Sequence, residues 1–345
     1  MNFNIESCRW YIEGGFAWFI TYEWEILIKI DLKEMRIVSL WCIPGNWEKS
    51  QGRYSKCMKL RNKVICFPNF SDDIYILDLQ KKMWKRKTVL TSSITELRVS
   101  DVFKKKNDIY FVARGEKRIY SFDKKGNIIE KYQIHDDNIG FGEFDNNKYR
   151  VVAQESGILF EIDETEKKEI LLNEKLWSVV SFNDSVYVNS FFGNIYVVEG
   201  KAVTLIREEK RENRCGDADF PVYFNSVRVG TYICFIPYRN DKILIYDTSQ
   251  KIFFYINIVD EKGEGHFVYC CSLDERYIVI FSSETEKYIK VDIDKKTYSF
   301  ISIEVDEDVY RELSSILFEK GRIISEGCIV ESREFHLDNM LSIWR

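Results

Sequence analysis

Apolar and polar residues alternate along this chain in short runs that stop at turn residues, and the runs come in sets of four. One set shows the pattern in full. Tyr54 to Leu60, Lys63 to Phe67, Asp73 to Leu79 and Met83 to Val89 each read as a strand of period two. Asn62 fits the tight turn between the first two, because Asn tolerates a left-handed backbone.

The sets repeat. A turn residue that opens an alternating run recurs at Gly15, Asn62, Asn107, Asn147, Asn183, Gly230 and Asp274, at intervals of 47, 45, 40, 36, 47 and 44 residues. An acid that ends a second apolar run recurs at Asp31, Asp78, Asp123, Asp163, Glu199, Asp247 and Asp292. The distance from opener to acid is 16 in five units, then 17 and 18. Two landmarks that keep one ruler while the gaps between units vary define seven copies of one structural unit. Four short strands per unit of this length predict an all-β, seven-bladed β-propeller. The units run approximately 8–53, 54–96, 97–138, 139–175, 176–223, 224–266 and 267–308, within one domain over 1–345.

Six positions after the acid stands an apolar or aromatic residue: Ile37, Trp84, Ile129, Phe253 and Tyr298, with Ile170 displaced by one beside Glu169 in the fourth unit. These residues are expected to fill the wedge between neighbouring blades. Residues 309–345 fall outside the ruler and are read as closing strands, drawn partly from Ser315 to Val330, and a short terminal helix over Glu334 to Trp344. Phe3 to Ile5 is expected to share in the closure. An eighth, divergent blade starting near Gly321 is the alternative.

The segment Asp73-Ile-Tyr-Ile-Leu-Asp-Leu-Gln-Lys-Lys-Met-Trp84 resembles the second half of a kelch repeat, and Lys242-Ile-Leu-Ile-Tyr-Asp247 echoes it. The chain is thus similar to kelch-like β-propellers, including bacterial kelch-like proteins, in a degenerate form: a double glycine occurs only as Gly14-Gly15. The resemblance implies a propeller that presents loops to a partner.

Composition supports strands. The chain has 345 residues, 15% of them aromatic, with only 17 Gly and 4 Pro. Fifty Lys and Arg against 55 Asp and Glu, interspersed, leave no basic stripe and exclude a nucleic-acid role. No apolar run approaches the roughly 20 residues that cross a bilayer. The first residues lack a secretory or transit pattern, and nine cysteines without C-x-x-C spacing read as buried thiols, so a cytoplasmic protein is expected.

Candidate chemistry is sparse. The three histidines, His135, His266 and His336, have no short-range His or Cys partners, so neither a metal nor a cofactor is expected. No nucleophile elbow or phosphate loop occurs, and the seven repeat acids are read as turn caps. Function is therefore sought on the loops joining second to third strands and one blade to the next, which share one mouth of the channel. Those loops hold Trp24, Trp47, Arg53, Phe70, Arg114, Arg118, Phe191, Phe192, Tyr238 and Arg239. The longest, Glu208 to Phe224, adds Arg211, Arg214, Cys215, Asp217, Asp219 and Tyr223. Aromatic anchors with Arg suit protein hot spots, and the same mixture suits sugar stacking. The function expected is a non-enzymatic binding or scaffold module for a protein, peptide or glycan, with Trp24, Trp47, Arg53, Phe70, Arg114, Phe192, Tyr238 and Arg239 at its surface. The alternative is a lyase or hydrolase acting on a sugar or peptide, with Asp101, Asp217 or Asp219 working against Arg98 or Arg228.

Overall fold

The computed structural model describes the chain except residues 1, 4–8, 22–24, 45–52, 89–96, 106–107, 114–116, 123–126, 135–138, 146, 164–165, 210–219, 239, 259–266, 283–284, 286, 320–321, 326–327 and 332–345. Strands form where the alternation places them. In the second unit they are Tyr54–Leu60, Lys63–Pro68, Asp73–Asp78 and Met83–Thr88, each paired antiparallel with the next. Seven such four-stranded meanders, over 11–42, 54–88, 99–133, 143–171, 176–207, 223–257 and 267–301, are the blades of a seven-bladed β-propeller.

The turns explain both the repeat acids and the scarcity of glycine. Oδ1 of Asp31 accepts hydrogen bonds from the backbone N–H groups of Lys33 and Glu34, Asp78 from Gln80 and Lys81, and Asp247 from Ser249 and Gln250. The residue before the outer strand then turns left-handed. It is Met35, Lys82, Lys251 or Lys296, at φ of 49°, 52°, 58° and 56°, where glycine would be the unstrained choice. At the first hairpin of blade 2 the left-handed residue is Arg61 (φ 57°), not Asn62. A two-residue turn sets its first position at positive φ. Asn183 and Gly230 occupy that same first position in blades 5 and 6, whereas the Asn62 amide donates to Asp78 and Gln80.

Second and third strands lie mid-sheet with a blade on either side, so they are apolar on both faces rather than alternating. Val64 to Pro68 and Asp73 to Leu77 are buried without a break. Aromatic rings fill the wedges between blades. Trp10 and Phe19 meet Tyr288 and Phe281 between the last and first blades, Phe67 meets Phe111 and Phe122 between blades 2 and 3, and Phe103 stacks on Phe144 and Tyr149 between blades 3 and 4. Such pairs contribute roughly 0.5–1.5 kcal/mol each beyond burial. Among the predicted wedge residues Ile37 is buried and Trp84 and Phe253 pack edge or tilted on Tyr75 and Tyr246. Ile170 is buried beside an exposed Glu169, as the displaced register requires. Ile129 departs: it is 41% exposed, because the outer strand of blade 3 starts one register step earlier than in blade 2, so Ile128 stands opposite Phe122 and packs on the core in its place.

The ring closes at the outer edge of blade 1. Its four strands all come from residues 11–42, and Ile303–Val305 adds to Arg36–Cys42 in parallel, with Asn2–Phe3 antiparallel beyond it. The closing strand thus precedes residue 309. The chain then enters a helix, Glu307–Glu319, whose Leu313 is buried with Ile37, Leu40, Ile303 and Val305, and after it a hairpin, Arg322–Ser325 with Cys328–Glu331. A helix and a two-stranded hairpin replace the eighth blade considered near Gly321. Part of the stretch read as strand from Ser315 is helical, because Val309, Tyr310, Leu313 and Ile316 recur at helical spacing toward the blade 1 core. The terminal helix expected over Glu334 to Trp344 lies outside the described residues.

Candidate functional site

Each inner strand begins at the mouth shared by the inter-blade segments and the second-to-third loops. Five inner strands carry a β-bulge at their second residue: Ser55, Ser100, Trp177, Phe224 and Val268 each stand unpaired between two residues that keep the ladder. A bulge re-aims one side chain without disturbing the rest of the strand. Here it places Ser100, Trp177 and Phe224 on a cavity of about 300 Å³ at the mouth.

Blade 4 reaches the same cavity by another route. Its inner strand, Glu143–Asp145, is short, and just before it the chain bridges two sheets: Gly140 N donates to Val152 O of its own blade and Phe141 N to Trp177 O of blade 5. Two glycines permit this. A Cβ at Gly140 would run into the Trp177 carbonyl and the Val152 side chain, and one at Gly142 into Tyr149 and the Arg150 carbonyl. Phe141 between them also lines the cavity.

The rings at the mouth are continuous. Trp177 lies 6.1 Å from Phe141, 5.9 Å from Phe224 and 5.9 Å from Phe191, and its Nε1 donates to Phe224 O at 2.7 Å. Phe224 meets Tyr238 at 5.5 Å, and Tyr238 stacks on Phe220 at 4.3 Å. Phe192, 39% exposed, continues the belt from Phe191. Facing this belt, Arg98 holds its guanidinium 4.6 Å above the Phe70 ring, and the Lys56 ammonium donates to Val99 O. Gln154 and Asn69 add two amides. Among the described residues that line the cavity there is no carboxylate.

Below the mouth the channel is crossed by ion pairs. Asp101 accepts from Arg9, from the Tyr149 hydroxyl and from Gly142 N at 3.1–3.2 Å. Glu13 of blade 1 bridges Lys59 of blade 2 at 2.7 Å and Lys104 of blade 3 at 2.9 Å. Burial alone would raise the Glu13 carboxyl, but the hydrogen bonds from Lys59, Lys104 and Tyr11 outweigh it and hold it at about 2.

Of the residues expected at the binding surface, Phe70, Phe192 and Tyr238 stand at this mouth. Arg53 stands there too, with its side chain engaged: Nε and a terminal nitrogen donate at 2.8 Å to both oxygens of buried Glu25, while its carbonyl accepts from Asn69 and Phe70. Trp24, Trp47, Arg114 and Arg239 lie outside the described residues, as do Asp217, Asp219 and the three histidines. Among the described residues, Asp101 and Arg228, considered as acid and base partners for an enzyme, do not come together. Asp101 is saturated beneath the mouth, and Arg228 sits at the opposite end of its strand, over Phe182 and beside the turn at Gly230. Trp177, Phe141, Phe224 and Gln154 escape a reading of the sequence because they lie in or beside strands, where an aromatic looks like core. The Gly-Phe-Gly at 140–142 was the available signal.

Other chemistry is quiet. Among the described residues no group of His, Cys, Asp and Glu is placed to hold a metal. Cysteines 42, 57, 66, 234, 270 and 271 are free thiols. Burial pushes Cys271 up to about 12 and Cys66, Cys234 and Cys270 well above the usual range, which leaves them unreactive. No described helix is long and apolar enough to cross a membrane.

No family model and no curated protein matches the chain by sequence. Solved structures do match. Virginiamycin B lyase from Staphylococcus aureus superposes at a TM-score of 0.64 with 15% identity, over 82% of this chain and 94% of that one, and a catalytically inactive form of it has been solved with quinupristin. A streptogramin B lyase gives 0.60 with 13% identity, over 87% and 95% of the two chains. Hsv2 from Kluyveromyces lactis gives 0.58 with 12% identity, over 86% and 98%. What this chain shares with lyases and with Hsv2 alike is the seven-bladed β-propeller.

Proposed function

We propose that this propeller is a non-enzymatic binding module that seats a protein, peptide or glycan segment over the channel mouth. One observation carries the reading: the belt of Phe141, Trp177, Phe224, Tyr238 and Phe220, running across three blades beside a cavity with two cations. Aromatic rings on a rigid frame contribute contact area at low entropic cost. The degenerate kelch-like character rests on Asp73 to Trp84, and the free, buried thiols support a cytoplasmic setting.

Panning a random peptide library and a glycan array against the wild-type chain tests this. Ligands recovered from either should lose at least tenfold in affinity on Trp177→Ala combined with Tyr238→Ala, with the far-ultraviolet dichroism retained. Unchanged affinity in that variant removes the mouth as the binding surface. The fold shared with two lyases favours, as a second reading, an enzyme acting on a peptide or sugar at the same place. The engagement of Asp101 by four donors, Arg9, Tyr149, Gly142 N and Val102 N, weighs against it, and mass-spectrometric turnover of a recovered ligand would establish it.

A further inference from the structure

The mouth cavity is chemically lopsided, and one of its polar residues is left over. Gln154 directly follows the second strand of blade 4, Lys148–Ala153, and is only 6% exposed, yet among the described residues its side-chain amide has no hydrogen-bond partner. Its amide atoms are not sealed off either, so they open onto the cavity that the residue lines. An amide at a cavity wall with no protein partner keeps its donor and acceptor available to a ligand group. Arg98, which lines the same cavity, is exposed and has no carboxylate partner among the described residues; its guanidinium rests on the Phe70 ring. Stacking fixes the plane of the guanidinium and leaves its N–H edge for an acceptor. Lys56 adds a second positive charge, and no described lining residue supplies a negative one.

We infer that the cavity recognises an anionic group joined to an aromatic or similarly flat apolar body, the anion taken by Arg98 and Gln154 and the flat body by Trp177 and Phe224. This deepens the proposed function and rests on it. A volume of about 300 Å³ suits a group the size of one aromatic amino acid with its carboxylate, at the small end of ligand pockets. A carboxylate and a phosphate share the required chemistry, and a choice of probes separates them. The chain as a whole carries a net charge of −5, so attraction of an anion here is local to the mouth.

Four probes test the inference by calorimetry or ligand-observed NMR on the full chain: N-acetylphenylalanine, its neutral amide, phenyl phosphate and acetate. The acid or the phosphate should bind at least about tenfold more tightly than the amide, the difference that a charge-assisted hydrogen bond supplies. Whichever of the two binds better identifies the anion. Acetate, lacking the ring, should bind more weakly than either. Arg98→Gln should bring acid and amide within about twofold of each other, and Gln154→Leu should weaken the acid, while Trp177→Leu should weaken acid and amide together. An amide that equals the acid in the wild type, a preference that survives Arg98→Gln, or no binding of any probe overturns the inference. If it fails while library-derived ligands still lose affinity on Trp177→Ala with Tyr238→Ala, the anionic class is wrong and the mouth stands. If those ligands are indifferent to that variant, the mouth itself is wrong.

Discussion

Replacing Arg53 by methionine separates a structural arginine from a recognition arginine. In the folded chain the guanidinium makes two 2.8 Å hydrogen bonds to the carboxylate of Glu25, whose side chain is 2% exposed against 15% for Arg53. Arg53→Met removes both bonds and leaves a buried carboxylate without its cation. Breaking one side of a buried pair costs about 3–5 kcal/mol, and the partial access of water from the Arg53 side places the expected loss near the lower end, about 3 kcal/mol. At an unfolding entropy of roughly 2.1 cal/mol/K per residue, that lowers the Tm of a 345-residue chain by about 4 °C. The assay is urea unfolding of Arg53→Met, Glu25→Gln and the double variant, analysed as a cycle. The double variant should recover most of the loss, because the neutral amide no longer needs a cation. Ligand capture at the mouth should survive in the double variant, since the loop at Asn69 and Phe70 is hung from the Arg53 carbonyl rather than its side chain. A loss below about 1 kcal/mol in Arg53→Met, or two single effects that simply add, would refute the strut and return Arg53 to the binding surface.

Two further outcomes are expected. Burial raises Glu143, whose carboxylate accepts from Ser181 N, from 4.5 to about 7. The unfolded chain therefore ionises first, so stability is full below about 4.5 and falls as pH rises toward about 7, by about 3 kcal/mol. Glu143→Gln should flatten that pH dependence, and a slope that persists in the variant would assign it elsewhere. Lys251 precedes the blade 6 outer strand at φ 58°. Lys251→Gly should stabilise the chain by about 0.5–1 kcal/mol in urea unfolding, the left-handed strain removed less the entropy that glycine adds; destabilisation would show that the strain is relieved by contacts of the lysine.

The blades were legible because the signal that marks them is local. An acid capping the turn into the outer strand, and a hairpin opener sixteen residues before it, depend only on neighbouring residues, and blade 2 follows the reading to within one residue at each strand end. Closure was less legible, since Ile303–Val305 is three residues long and its pairing with Arg36–Cys42 is a contact between chain ends that no periodicity announces. The mouth was read in part. Phe70 and Tyr238 sit in loops, where an aromatic is conspicuous, but Trp177 and Phe224 head strands in runs that look like core. Only the register shift shows that they leave the ladder. Gln154 carried no sequence signal, because an unmet hydrogen bond is a property of surroundings rather than of residue type.

The bulges have a consequence for how such a protein can diversify. A residue that stands outside the ladder can change identity without altering strand register or the packing of the wedges, so selection can act on it almost independently of folding. Five blades carry that position at the start of the inner strand, filled here by two serines, a valine, a tryptophan and a phenylalanine. Three of these positions, Ser100, Trp177 and Phe224, line the mouth cavity, so rewriting those three together on a fixed frame is the direct way to ask whether the bulges set what the proposed surface would hold.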